Sequence, residues 1–318
     1  WHYPERRWRL HGMMFDWKFN HLGMMVIDRD EILSHYQSIG LGVSVGPQPL
    51  LPYIEGEGEI TFFRELEGDP ISHKYKTGGA HNFKDGQSQI GNCQLEIYPM
   101  KPGPGMFISR YLEKKGDGIN HIAFNTKDIE RDTQYFIDRG CELVFNVTTN
   151  GKTIENYIDT RLHGDLMISL RPSGDDWEKS WRKNNESHPM VNDWSFLGLG
   201  ICVDDLESAS AYYSHLGYSK LNVINDRQEW GVSFQEYSVS KILFELMQAE
   251  EGSIYSSSIE QRGEGVAELI FEVSDLKKEI DRLVAKGTKI LQISDDNKMA
   301  SMGSGEKGNI LTRLVQKG

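Results

Sequence analysis

Four stretches of the chain share one pattern of apolar and polar positions: a short alternating run, a helical stripe, then a glycine. The clearest runs from Gly116 to Leu143. There Ile122 and Phe124 alternate with His121, Ala123 and Asn125, which predicts a half-buried strand with His121 opposite the apolar face. Asp128 is placed to cap a helix and Glu130 suits its first turn. Ile129, Tyr135, Phe136 and Ile137 supply the helix's apolar stripe, and Gly140 is the expected stop.

The same unit recurs from His21, Gly198 and Glu268. Counted from these residues and from His121, an Asp follows seven positions later in every copy: Asp28, Asp128, Asp205 and Asp275. A Gly follows nineteen positions later: Gly40, Gly140, Gly217 and Gly287. Four matches with identical spacing are a repeat, and a repeat outranks other signals in deciding a fold. Further alternating runs follow each helix, so each unit reads β-α-β-β-β. In the first unit the strands are expected at Phe19–Val26, Val43–Val45, Glu57–Phe63 and Cys93–Tyr98, with a long polar loop from Glu65 to Gly91. The connectors Gly105–Ile119 and Gly252–Val266 also match, so the duplication operates on units and on pairs of units.

A length of 318 residues suits about two domains, hence two units in each. The expected division is an extension or tag at 1–15, a domain at 16–172, a charged linker at 173–192 and a second domain at 193–318. A short helix is expected in the linker around Trp177–Trp181. The net charge of −12 argues against a nucleic-acid partner. No apolar run approaches the length of a membrane span. The three scattered cysteines suggest a reduced, cytoplasmic setting.

A paired β-α-β-β-β unit resembles the vicinal oxygen chelate (glyoxalase/bleomycin resistance/dioxygenase) superfamily, from about Phe19 to the C-terminus. The closest local likeness is to methylmalonyl-CoA epimerase-like proteins, through FNHLGMMV, YLEKKGDGINHIAF and YIDTRLHGDLMISL. The resemblance implies an α+β fold, four βαβββ modules paired into two cupped-sheet domains. It also implies one divalent metal per active cup, ligated from the first and last strand of each unit. In the N-terminal domain those positions are His21, Glu96, His121 and Ser169, the last standing where the family usually has Glu. Strand alternation independently puts all four on the non-apolar faces. Gln94 is either a supporting group or the ligand in place of Glu96, if the register differs by two. In the C-terminal domain the positions read Gly198, Glu245, Glu268 and Arg313, which suits no metal.

Two His and one carboxylate suffice for Zn, Co, Ni, Mn or Fe(II). Glu59 matches a suspected proton-transfer base of the epimerases. The expectation is therefore a metal-dependent epimerase, isomerase or lyase acting on a small oxygen-chelating substrate, such as an acyl-thioester or hydroxy-carbonyl compound. Glu59 would be its catalytic base, and Gln94 and Ser169 would touch the substrate or support the ligands. The alternatives are Fe(II) dioxygenase-type chemistry and a metal-free binding protein. Homodimerisation is left open.

Overall fold

The computed structural model describes residues 15–41, 43–45, 57–63, 71–76, 86–103, 107–172, 193–221, 230–303 and 310–318. The expected linker and its short helix lie outside them, as do residues 1–14. Phe15, expected in the extension, is buried and stacks on Trp17 at 4.2 Å.

The repeat is realised four times. The second unit is β7 (Gly118–Thr126), α3 (Ile129–Ile137), β8 (Glu142–Thr149), β9 (Lys152–Asp159) and β10 (Met167–Pro172). The third is β11 (Ser195–Cys202), α4 (Leu206–His215), β12 (Ser219–Lys220), β13 (Val232–Val239) and β14 (Ile242–Ala249). The fourth is β15 (Gly265–Val273), α6 (Leu276–Val284), β16 (Lys289–Ile293), β17 (Met299–Gly303) and β18 (Leu311–Gln316). Each repeated Asp caps its helix by accepting the backbone N–H three residues on. Each repeated Gly has a φ between 73° and 95°, the left-handed stop that a side chain would strain.

The first unit departs from expectation. It contains β1 (Lys18–Val26), α1 (Arg29–Ser38), β2 (Val43–Val45), β5 (Gly86–Ile90) and β6 (Cys93–Pro99). Between β2 and β5 lie β3 (Glu57–Phe62) and β4 (Ile71–Lys76). The stretch from Glu65 to Gly91 is therefore not one polar loop: it holds β4 and β5. Nor does β3 join its own unit. It pairs antiparallel with β4 and with β8 of the second unit.

The first sheet accordingly has ten strands, ordered β2-β5-β6-β1-β7-β10-β9-β8-β3-β4. Eight belong to two units joined through the β1–β7 pair, and the β3–β4 hairpin extends the β8 edge. The second sheet has eight, ordered β12-β13-β14-β11-β15-β18-β17-β16. One apolar cluster runs through the helix-covered sides of both sheets, from Leu22, Ile97 and Phe124 to Leu199, Phe244 and Leu314. Two of the helices are also tied down by a buried indole. Trp17 Nε1 donates to Asp132 on α3 at 2.7 Å, and Trp194 Nε1 donates to Glu279 on α6 at 3.0 Å.

Two connector helices, α2 (Phe107–Lys115) and α5 (Ser256–Arg262), link the units of each pair. They cross-link the halves reciprocally: Lys115 donates to the Glu264 carbonyl, and Arg262 donates to the carbonyls of Lys115 at 3.0 Å and Asp117 at 2.7 Å. No helix among the described residues is long and apolar enough to cross a membrane.

Candidate metal centre

The joining strands of the first sheet bring the site together. On β1 and β7, Gly23 lies opposite His121, and on β1 and β6, Gly23 lies beside Glu96. All three therefore share the face away from α1 and α3. His21 lies opposite Ala123, one pleat further along on the same face. Gly23 is needed there: a Cβ on it would stand 1.7 Å from His121 Cε1.

His21 Nε2 lies 3.3 Å from Glu96 Oε2, His121 Nε2 lies 3.6 Å from the same oxygen, and the two ring nitrogens are 3.3 Å apart. All three side chains are buried. The carboxylate of this cluster is Glu96, and Gln94 stands two residues earlier on the same strand.

Each histidine follows an asparagine, and each asparagine sits at a register shift in its strand. Asn20 Oδ1 lies 2.6 Å from His21 Nδ1, and Asn120 Oδ1 lies 2.8 Å from His121 Nδ1. An amide oxygen only accepts, so both imidazoles carry their proton on Nδ1 and present a bare Nε2. Burial pushes the His21 imidazole further towards its neutral form.

Three acceptor atoms thus face one another with no proton to share, which is unfavourable unless a cation lies among them. Ligands about 2.0–2.2 Å from one ion would be separated by roughly the distances seen. The donor set fits a divalent metal.

Ser169 does occupy the fourth position of the site face, lateral to Ala123. Its hydroxyl, however, donates to Glu155 Oε1 at 2.8 Å. Glu155 on β9 is itself buried, with Arg171 Nε 3.9 Å away. Tyr157, two residues on, donates its hydroxyl to His121 Nε2 at 3.1 Å. Sequence reading missed Glu155, Tyr157, Arg171 and both asparagines. The repeated Asn-His pair and the alternation along β9 were the signals that could have found them.

Glu59 requires a correction. Phe62 on β3 packs on Phe145, and Phe145 on Tyr157, which places Phe62 on the site face. Alternation along β3 then turns Glu59 to the opposite face, beside Thr148. The cause is the hairpin's docking on β8, which was invisible as long as β3 was read as a strand of its own unit.

In the second sheet the corresponding register positions are Gly198, Glu245, Glu268 and Arg313. Arg313 bridges the two carboxylates: Nη2 to Glu245 at 2.9 Å and Nε to Glu268 at 3.0 Å. Ser301 and Tyr255 also donate to Glu268, at 2.6 and 3.0 Å. A guanidinium here occupies the place of an ion.

These features define a class, the two-domain vicinal oxygen chelate architecture, and comparison with known proteins agrees. Residues 199–302 match the model of the Glyoxalase/Bleomycin resistance protein/Dioxygenase superfamily. A mutant of 4-hydroxymandelate synthase from Streptomyces coelicolor superposes with a TM-score of 0.59 at 13% identity, covering 94% of this chain and 92% of that one. A xylose isomerase-like TIM barrel/4-hydroxyphenylpyruvate dioxygenase fusion protein gives 0.58 at 11% identity, covering 96% of this chain and 49% of its own. Methylmalonyl-CoA epimerase from Mycobacterium tuberculosis is 26% identical over 39% of this chain and 87% of that one, with a TM-score of 0.34. No curated protein matches the chain by sequence. The superfamily includes metal-dependent epimerases and dioxygenases.

Proposed function

We propose that the chain is a divalent-metal-dependent enzyme whose metal is held by His21, Glu96 and His121. Its substrate is a small molecule that chelates the ion through two neighbouring oxygens. The reading divides the chain into a metal-bearing domain at 16–172 and a metal-free partner domain at 193–318. The observation that carries it is the convergence of two bare imidazole nitrogens and one carboxylate oxygen within 3.6 Å.

When bound, the ion supplies Lewis acidity that polarises a carbonyl or hydroxyl oxygen. The protein's own groups do the rest. Asn20 and Asn120 aim the ring nitrogens. Burial of the ligands excludes water and strengthens every charge interaction inside. For a proton-transfer reaction, epimerase-, isomerase- or lyase-like, the base expected at Glu59 is on the wrong face. Among the described residues, Glu155 is a second buried carboxylate on the site face and takes that role, held in place by Ser169.

A second reading is Fe(II) oxygen chemistry. It is favoured by the commitment of Ser169 to Glu155, which leaves a three-residue donor set of the kind that keeps open positions on one side of iron.

Metal analysis of the purified protein tests the proposal. One equivalent per chain is expected, lost in His121→Ala and Glu96→Ala. A protein that binds no metal after reconstitution with Zn, Co, Ni, Mn and Fe(II) in turn is a binding protein instead. Oxygen consumption by the Fe(II) form, absent in the Zn form, would decide for the second reading.

A further inference from the structure

We infer that the Tyr157 hydroxyl binds the substrate, turning from His121 Nε2 to an oxygen of the chelating molecule once the metal is in place. The inference rests on the metal assignment above. His121 has one bare nitrogen, because its Nδ1 proton is committed to Asn120. That single lone pair now accepts the Tyr157 hydroxyl at 3.1 Å. It cannot serve a metal and a phenol together. Metal binding therefore frees a buried donor one hydrogen bond away from a ligand atom.

The ring cannot follow its hydroxyl elsewhere. Its centroid lies 4.8 Å from that of His121, 5.1 Å from Phe145 and 6.0 Å from Phe107. Tyr157 sits on β9, whose neighbours β8 and β10 hold the backbone on both sides. Rotation about the C–O bond is the motion left, and a buried O–H must find an acceptor. An oxygen chelating the ion beside His121 supplies one. A ligand that binds through nitrogen and offers no oxygen does not.

The test uses the full chain loaded with Co(II), titrated with acetohydroxamate, which chelates through two oxygens, and with imidazole, which does not. Tyr157→Phe should keep one Co(II) per chain, because it removes only a competitor for Nε2. Its affinity for acetohydroxamate should fall by about tenfold or more, the effect of a lost hydrogen bond to a charged ligand. Its affinity for imidazole should be unchanged. A structural role would instead lower metal retention or shift both probes equally, and either result overturns the inference. So does equal acetohydroxamate affinity in the two proteins, with Co(II) bound in both, and that outcome leaves the metal assignment standing. A wild-type protein that takes up no Co(II) overturns the assignment and the inference together.

Discussion

An amide oxygen beside each histidine decides which ring nitrogen faces the site. Such supporting contacts orient a ligand and raise its basicity, and their loss typically weakens metal binding about 10–100-fold. Asn120→Ala should show this in a competitive chelator titration, while Asn120→Asp, which keeps an acceptor oxygen, should stay close to wild type. Asn120 is the better choice of the two. Asn20 also donates to Asn125 at 3.1 Å, whereas Asn120 Nδ2 has no partner among the described residues. Gly23 tests the same geometry from the other side. A methyl group there meets the His121 ring at 1.7 Å, so Gly23→Ala must push the imidazole aside. Loss of metal is expected, with a fall in stability of about 1–3 kcal/mol from overpacking. Retention of metal at wild-type affinity would mean that His121 is not held where the structure places it.

Among the elements, legibility followed locality. The four helices of the repeated units were readable because each carries its own start and stop: an Asp that caps and a Gly that reverses φ, both visible in the chain itself. The faces of β1, β6, β7 and β10 were readable from alternation, but it was the family resemblance that grouped His21, Glu96 and His121. The β3–β4 hairpin was not readable. Its partner, β8, lies far along the chain and in another unit, and nothing local records that pairing. Glu59 was misplaced for that reason, and β4 and β5 vanished into a supposed loop. Bulges escaped for a similar reason, since Asn20 and Asn120 leave simple alternation only where the partner strand forces them to. The corrected placement has a consequence. Glu59→Gln should leave metal content and turnover unchanged, whereas Glu155→Gln should keep the metal and slow a proton-transfer reaction by about 10²–10⁴-fold. If Glu59→Gln is the slow variant, the face assigned to β3 is wrong.

At the scale of the whole molecule, one fold has been used twice with opposite solutions to the same electrostatic problem. Carboxylates at matching positions, Glu96 and Glu245, need a positive neighbour once buried. In the first sheet the histidines leave a place for an external ion. In the second, Glu268 replaces the histidine and Arg313 supplies the positive charge from within, with both carboxylates and the guanidinium at most 2% exposed. The Lys115 and Arg262 contacts join the connector helices of the two halves. Arg313→Ala leaves two buried carboxylates facing one another. Breaking a buried ion pair by removing one partner costs about 3–5 kcal/mol, which urea unfolding followed by tryptophan fluorescence would register. Adding Glu245→Gln and Glu268→Gln removes the stranded charge and should restore much of that stability. Metal content should stay at one per chain in the triple variant, because every ligand is in the other sheet. Loss of the metal in Glu268→Gln alone would show that the C-terminal half, not the N-terminal half, carries the metal.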